Sequence, residues 1–264
     1  MNFTTPLYNL NPLTRFCEKA GNYNKYRPPY PDAVVNKILE GLTLNNQFVA
    51  ADIGAGTGIS ARQIASKGIK VIAVEPNAAM REVAESHQGV EWRNGTAEAT
   101  NLPDASVDLI TCFQAFHWFK PEPTLLEFRR ILKPQGRLAV VFRDFNLDDE
   151  FTRVYDQFIC KFEESCPSGT LSYKIEPLKN NLDFQYLDCY TFPYKQELDL
   201  SSLIGLAQSV SFISSAETVQ KQLVDGLEQL HQRFCDRNGF VYLDYSNKVH
   251  LANVEPLTID EFFS

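Results

Sequence analysis

The stretch Val49-Ala50-Ala51-Asp52-Ile53-Gly54-Ala55-Gly56-Thr57-Gly58 decides the fold of this chain. It reads as a buried strand that ends in a glycine-rich turn and opens a helix. Glycine at every second position removes the Cβ where the backbone turns sharply and comes close to a ligand. Amides at the new helix's N-terminus would face that ligand and favour a negative group such as a carboxylate. The helix follows at once, with Ile59, Ile64 and Ala65 as its apolar positions and Gly68 as its stop.

The spacing is D-x-G-x-G-x-G. A dinucleotide fingerprint needs its third glycine at position 59, where this chain has Ile59. The next strand runs from Ile69 to Val74 and ends in Glu75, 17 positions after Gly58. A carboxylate there can accept both hydrogen bonds of a ribose diol, and it repels a 2′-phosphate, which argues against NADP.

Strand and helix signals then alternate. Strands are predicted at 49–53, 69–74, 90–93, 107–113 and 138–142, with helices over 58–67, 77–87 and 125–132 between them. Asn77 reads as an N-cap, and Lys133-Pro134-Gln135-Gly136 as a helix stop. This order implies a parallel sheet with helices on both faces, and ligands bind such sheets at the carboxyl ends of the strands, near the switch in strand order. Upstream, Phe16 to Ala20 has a short helical pattern. Tyr23 to Pro31 carries three prolines and reads as non-helical, and Asp32 as the N-cap of the following helix. Downstream of Arg143 the regularity fails. Helix is predicted over 151–162, a long loop over 165–182, strand over 184–194, a partly helical insertion over 198–212, and strand again near 240–251. Ser214-x-x-Glu217 has the form of a capping box opening a long amphipathic helix.

The bulk properties set limits. A chain of 264 residues with 44% hydrophobic content suits one large domain with an appended cap. A net charge of −8 without a basic block argues against nucleic-acid binding. Six cysteines without a C-x-x-C pair signal neither a zinc site nor a redox motif, so no metal is expected. With no signal-peptide pattern and no apolar run near the ~20 residues that span a bilayer, the expectation is a soluble, reduced, cytoplasmic protein with no membrane or nucleic-acid partner, either monomer or homodimer.

Together these residues resemble the class I S-adenosylmethionine-dependent methyltransferases, in the small-molecule branch called type 11, and the layout is similar to that of trans-aconitate methyltransferases. The resemblance rests on Asp52 to Gly58, Glu75-Pro76, Gly95-Thr96-Ala97-Glu98, Val107-Asp108-Leu109, Gln114 to Phe119, Leu132 to Gly136, and the upstream Tyr23-x-x-Tyr26-Arg27-Pro28 and Tyr30-Pro31. It covers about residues 16–143. It implies an α/β, doubly wound, Rossmann-like sheet of seven strands with the last antiparallel. The core would be 32–143 plus about 184–264, and 1–31 and about 145–215 would supply cap or lid insertions. S-adenosyl-L-methionine is the implied cofactor. Gly54 and Gly56 would line its methionine part and Glu75 its ribose, with Asn77 alongside. Thr96 and Ala97 would meet the adenine edge, and Gln114 would lie next to the methionine end. Thr96 stands where relatives often have an acid, and Gln135 where they often have glycine.

The individual residues have competing readings. Asp52 among apolar neighbours needs donors, which turn amides or a water-bridged ammonium would supply. Gly58 completes the cofactor turn. His117 is a general base, a pocket wall or simply a packed residue, and Trp118 beside it lines the pocket. Arg27 and Arg143 could each bind a carboxylate by a bidentate fork, and the alternative for Arg143 is an interdomain ion pair. Tyr26 and Tyr30 would face the substrate. The expected reaction is in-line methyl transfer to a small-molecule oxygen, nitrogen or carbon. An NAD-dependent oxidoreductase on a related sheet and a non-catalytic cofactor binder are the other two readings.

Overall fold

A computed structural model describes Tyr8 and residues 19–162 and 175–254. Residues 16–18 of the expected helical piece Phe16 to Ala20, and most of the loop over 165–182, lie outside the described residues.

The five strands expected from alternation are all present. β1 (Val49–Ile53), β2 (Lys70–Val74), β3 (Val90–Arg93), β4 (Val107–Phe113) and β5 (Leu132–Phe145) pair in parallel. Their apolar runs are continuous because both faces are covered. β6 (Phe184–Leu198) and β7 (Val241–Val254) complete a seven-stranded sheet in the order β3-β2-β1-β4-β5-β7-β6. β7 is antiparallel to both neighbours, as the resemblance implies. Strand order reverses between β1 and β4, so a crevice opens where these two strands end, at Gly54 and Gln114.

One face of the sheet buries Ile110, Leu125, Phe128, Leu138 and Phe142. The other buries Val35, Ile38, Ala61, Ile64, Leu109 and Val141, against α2 (Asp32–Leu39) and α3 (Ile59–Ala65). A third apolar cluster sits apart from these. It joins Phe151, Tyr155, Leu203, Leu206, Leu223, Leu227 and Leu243. It forms where β6 and β7 extend beyond the central strands and carry α6 (Glu150–Ile159), α8 (Leu200–Gln208) and α9 (Glu217–Phe234). The fifth strand is longer than its apolar run of 138–142. It passes through the expected stop turn, where Gln135 takes φ +63°, the left-handed geometry that suits glycine.

Several local expectations are corrected. Tyr23 to Tyr26 is helical, within α1 (Ala20–Tyr26), because the proline restriction reaches back only to Arg27, which is extended at φ −72°, ψ 126°. The N-cap of α2 is Pro31, and Asp32 lies in the first turn, where its charge still favours the helix dipole. The capping box does not form. α9 starts after Ala216 without a side-chain cap, and Ser214 instead accepts the Ala216 N–H at 3.2 Å. α4 (Ala78–Glu82) is shorter than expected, although Asn77 caps it by accepting the Ala79 and Met80 amides. α5 (Pro121–Ile131) starts earlier, with proline in its first turn. The short α7 (Glu176–Lys179) falls within the expected loop. Cys160 is disulfide-bonded, which departs from the expectation of reduced thiols and which no C-x-x-C spacing signalled.

Candidate functional site

A cavity of about 880 Å³ opens at the carboxyl ends of β1 and β4. It lies in the upper part of the ~300–1,000 Å³ range of small-molecule sites, which leaves room beside a cofactor. Its floor is the glycine loop, from Gly54 to Thr57, followed by Ile59 and Ser60 at the start of α3.

The loop glycines take φ values of +70°, +58° and +77° at 54, 56 and 58. Their surroundings differ. A Cβ on Gly54 would come within 2.7 Å of the Ala115 methyl and 2.9 Å of the Phe119 ring. On Gly58 it would meet the Trp92 ring at 2.8 Å, so Gly58 serves packing of α3 on β3 and does not line the cavity. On Gly56 it would meet only the Met80 methyl, at 3.5 Å, and otherwise enter the cavity. Gly56 is therefore a cradle that a side chain would fill. In the same loop the buried Thr57 hydroxyl has no hydrogen-bond partner among the described residues.

Glu75 ends β2 in the cavity wall. Gly56 N–H donates to its Oε2 and Asn77 N–H to its Oε1, each at 2.9 Å. Burial raises its pKa, opposed by those two amides and by Arg81. Each oxygen retains lone-pair capacity for a ligand hydroxyl. Asn77 does not itself line the cavity. Its side chain is occupied by the α4 cap, and its backbone orients Glu75.

Asp52 is also absent from the wall. Its carboxylate is fully buried beneath the loop, where the Ser60 and Thr111 hydroxyls donate to it at 2.7 Å each. The donors it needs are thus these two hydroxyls and the Ala61 amide at the start of α3, and Ser60 stands between the carboxylate and the cavity. Burial pushes its pKa up to about 6, against the pull of those hydroxyls.

Thr96 and Ala97 line the cavity beyond the end of β3, the strand beside the one that carries Glu75, in a tight turn closed by Thr96–Ala99 backbone bonds of 3.1 and 3.3 Å. Glu98 lines it too and accepts the Lys120 N–H at 3.0 Å. Gln114 follows β4 with φ +52°, and its carboxamide pairs with the backbone of Arg143, donating to its C=O and accepting its N–H at 2.9 Å each.

The roof is the segment from Tyr23 to Tyr30. Tyr30 lines the cavity with its ring 4.6 Å from that of Phe113, and Gln63 binds both its N–H and its C=O, at 2.8 and 2.7 Å. Burial raises the Tyr30 pKa beyond its ordinary range, so the group is a neutral phenol. Arg27 lines the cavity, with its Nε donating to Ser209 Oγ at 2.9 Å. Arg143 lines it too, but its guanidinium bonds Asn247 Oδ1 and the Pro28 and Pro29 carbonyls. Among the described residues it forms no ion pair, and each of its three nitrogens already donates to a protein oxygen.

Two expected substrate residues lie elsewhere. Tyr26 turns away and packs on Gly205 of α8, where an added Cβ would lie 2.1 Å from its ring. His117 sits in the 3₁₀ turn Phe116–Trp118, buried, with its ring 5.3 Å from Trp118 and 6.0 Å from Phe142. His117 does not line the cavity in this structure, whereas Trp118 does. Sequence reasoning missed Met80 and Phe113 in the wall. Their apolar setting resembles core, and only the end-of-strand position of Phe113 hinted at a ligand.

A glycine loop, a strand-end carboxylate and several aromatic rings meet in this one cavity. Comparisons with known proteins agree. A methyltransferase-domain model of type 11 matches residues 51–140. The chain is 31% identical over 214 residues to the uncharacterized methyltransferase-like protein C25B8.10 of Schizosaccharomyces pombe, covering 80% of this chain and 83% of that one. It is 36% identical over 233 residues to the uncharacterized methyltransferase Rv3342 of Mycobacterium tuberculosis, covering 85% and 89%. A solved structure of a candidate type II methyltransferase from Anaeromyxobacter dehalogenans shares the fold, with a TM-score of 0.68 at 21% identity over 88% of this chain and 100% of that one. The chain belongs to the class I S-adenosylmethionine-dependent methyltransferases, in the type 11 branch. It is an enzyme of that class, and its cofactor is S-adenosyl-L-methionine, not a nicotinamide dinucleotide.

Among the described residues no helix is long and apolar enough to cross a membrane, and no group of His, Cys, Asp or Glu could hold a metal ion.

Proposed function

We propose that this methyltransferase acts on a small-molecule acceptor and accelerates transfer chiefly by positioning. The observation that carries this reading is the cavity itself. It is roofed by the 23–30 segment, lined by aromatic rings, and large enough for a second small molecule beside the cofactor.

The residues fit the cofactor. The cradle at Gly56 admits its methionine part, and Gly54 lies beside it. Glu75, held by two amides, would accept the ribose hydroxyls. Thr96 and Ala97 would meet the adenine edge, with the Thr96 hydroxyl in place of an acid. Arg27 would bind the amino-acid carboxylate, because no acceptor among the described residues contacts its terminal nitrogens. Asp52, Gly58 and Asn77 would support the loop from behind. When bound, S-adenosyl-L-methionine supplies a methyl group already activated on a sulfonium.

Tyr30, Phe113 and Trp118 would then bound the acceptor space and exclude water. With His117 packed away and Tyr30 a neutral phenol, neither supplies a base at neutral pH. The chain's contribution is alignment, which can be worth ~7–11 kcal/mol. We take the chain as a single methyltransferase unit, in which 1–31 and about 145–215 cap the core.

The test is turnover of methyl-labelled donor with a panel of metabolites, and separately with protein and RNA. Label recovered in a low-mass product supports the proposal. Label found only in macromolecules overturns it.

A further inference from the structure

Arg143 was a substrate-binding candidate, yet all three nitrogens of its guanidinium donate to protein acceptors. Its Nε donates to Asn247 Oδ1 at 2.9 Å, its Nη1 to Pro28 O at 2.9 Å and its Nη2 to Pro29 O at 2.7 Å. Its guanidinium lies 4.2 Å from the Tyr30 ring centre and 5.5 Å from those of Tyr194 and Tyr245. Its own backbone is gripped by Gln114, a cavity residue. The planar fork thus joins the end of β5 to two consecutive carbonyls of the roof.

Those carbonyls need it. Two adjacent prolines offer no N–H to a regular ladder, so this segment cannot be placed by backbone pairing. Side chains from the surrounding elements place it: Gln63 holds Tyr30, Gln196 holds the Tyr26 carbonyl at 3.2 Å, and Arg143 holds the Pro28 and Pro29 carbonyls. Arg27 comes immediately before Pro28. Its guanidinium is anchored at Nε by Ser209, and its terminal nitrogens have no acceptor among the described residues.

We propose that Arg143 is a positioning residue for methyl transfer: by clamping Pro28 and Pro29 it sets where Arg27 meets the cofactor, and it does not bind substrate. This rests on the reading above in which Arg27 binds the cofactor's carboxylate. Lysine at 143 keeps the charge and the stem but cannot fork two carbonyls and reach Asn247 as well.

The experiment is a double-mutant cycle on the full chain. The Kd of S-adenosylhomocysteine is measured by calorimetry for wild type, R143K, R27Q and the double variant, with thermal melts to verify folding. A displacement of Arg27 by about 1 Å predicts a rise in Kd of roughly 10- to 100-fold for R143K. Because Arg143 acts through Arg27, the double variant should bind within about twofold of R27Q alone. In turnover, R143K should raise KM for the donor and leave kcat near wild type.

If R27Q raises Kd while R143K binds as wild type, or if the two losses add, the positioning role is overturned and the reading of Arg27 stands. If R27Q itself binds as wild type, both fall. R143M is the second variant. It should weaken binding at least as much as R143K, and wild-type affinity in it would also overturn the proposal.

Discussion

Alanine at Gly54 and at Gly56 separates the two tasks of the glycine loop. Both residues hold left-handed φ, +70° and +58°, so each substitution costs ~1–2 kcal/mol in backbone strain. At Gly54 the new methyl would also sit 2.7 Å from the Ala115 Cβ and 2.9 Å from the Phe119 ring. Overpacking of that kind adds ~1–3 kcal/mol, for a total of about 2–5 kcal/mol. In a chain of this size a kcal/mol moves Tm by ~2–4 °C, so G54A should melt about 4–20 °C below wild type. At Gly56 the nearest atom is the Met80 methyl, at 3.5 Å, so only the backbone strain applies and Tm falls by a few degrees, about 2–8 °C. Its methyl instead enters the cavity, where a clash of ~1–3 kcal/mol converts to a loss in affinity of roughly 5- to 150-fold. The assays are a thermal melt without ligand and calorimetric titration with S-adenosylhomocysteine. G56A binding as tightly as wild type would refute the cradle, and G54A melting with wild type would refute the packing argument.

Two other outcomes follow from buried groups. The folded-state pKa of Asp52 is raised to about 6 from an ordinary value near ~3.8, so its protonated form is favoured in the fold. Its contribution to stability is full below about pH 4 and is lost as pH rises through about 6. D52N, which can keep both hydroxyl partners by reorienting them, should therefore gain stability relative to wild type, on the order of 2–3 kcal/mol, between pH 4 and pH 7 in urea titrations. Parallel stability curves would contradict this. H117Q should lose ~1–2 kcal/mol of stability from the contacts with Trp118 and Phe142 and keep the wild-type pH profile of kcat; a lost acidic limb in that profile would restore the histidine as base.

The sheet was legible because parallel strands covered on both faces spell continuous apolar runs, as at Val107 to Phe113, and because Gly54 to Gly58 punctuates the first of them. Glu75 was legible for the same reason, since a charged residue at the end of such a run has few places to go. The ends of β6 and β7 were less legible: the signal for β6 stopped at Tyr194, four residues short, and that for β7 did not reach its last residues, Ala252 to Val254. Caps failed where a neighbour competed: Pro31 took the position given to Asp32. In the site, the errors were of direction. Position along the chain placed His117 at the strand end, and a 3₁₀ turn then rotated it onto Phe142. Asp52 was seen to need donors, but Thr111 lies 59 residues away on β4, and no local pattern reveals that pair. Arg143 was seen as a fork for an anion; its acceptors are carbonyls of a segment more than 110 residues upstream.

The most direct test of the account is a crystal structure with S-adenosylhomocysteine. The account predicts the ribose hydroxyls within hydrogen-bond distance of Glu75, the amino-acid part against Gly56 and the carboxylate on Arg27. A ligand seated outside this cavity, or a ribose turned away from Glu75, would contradict it.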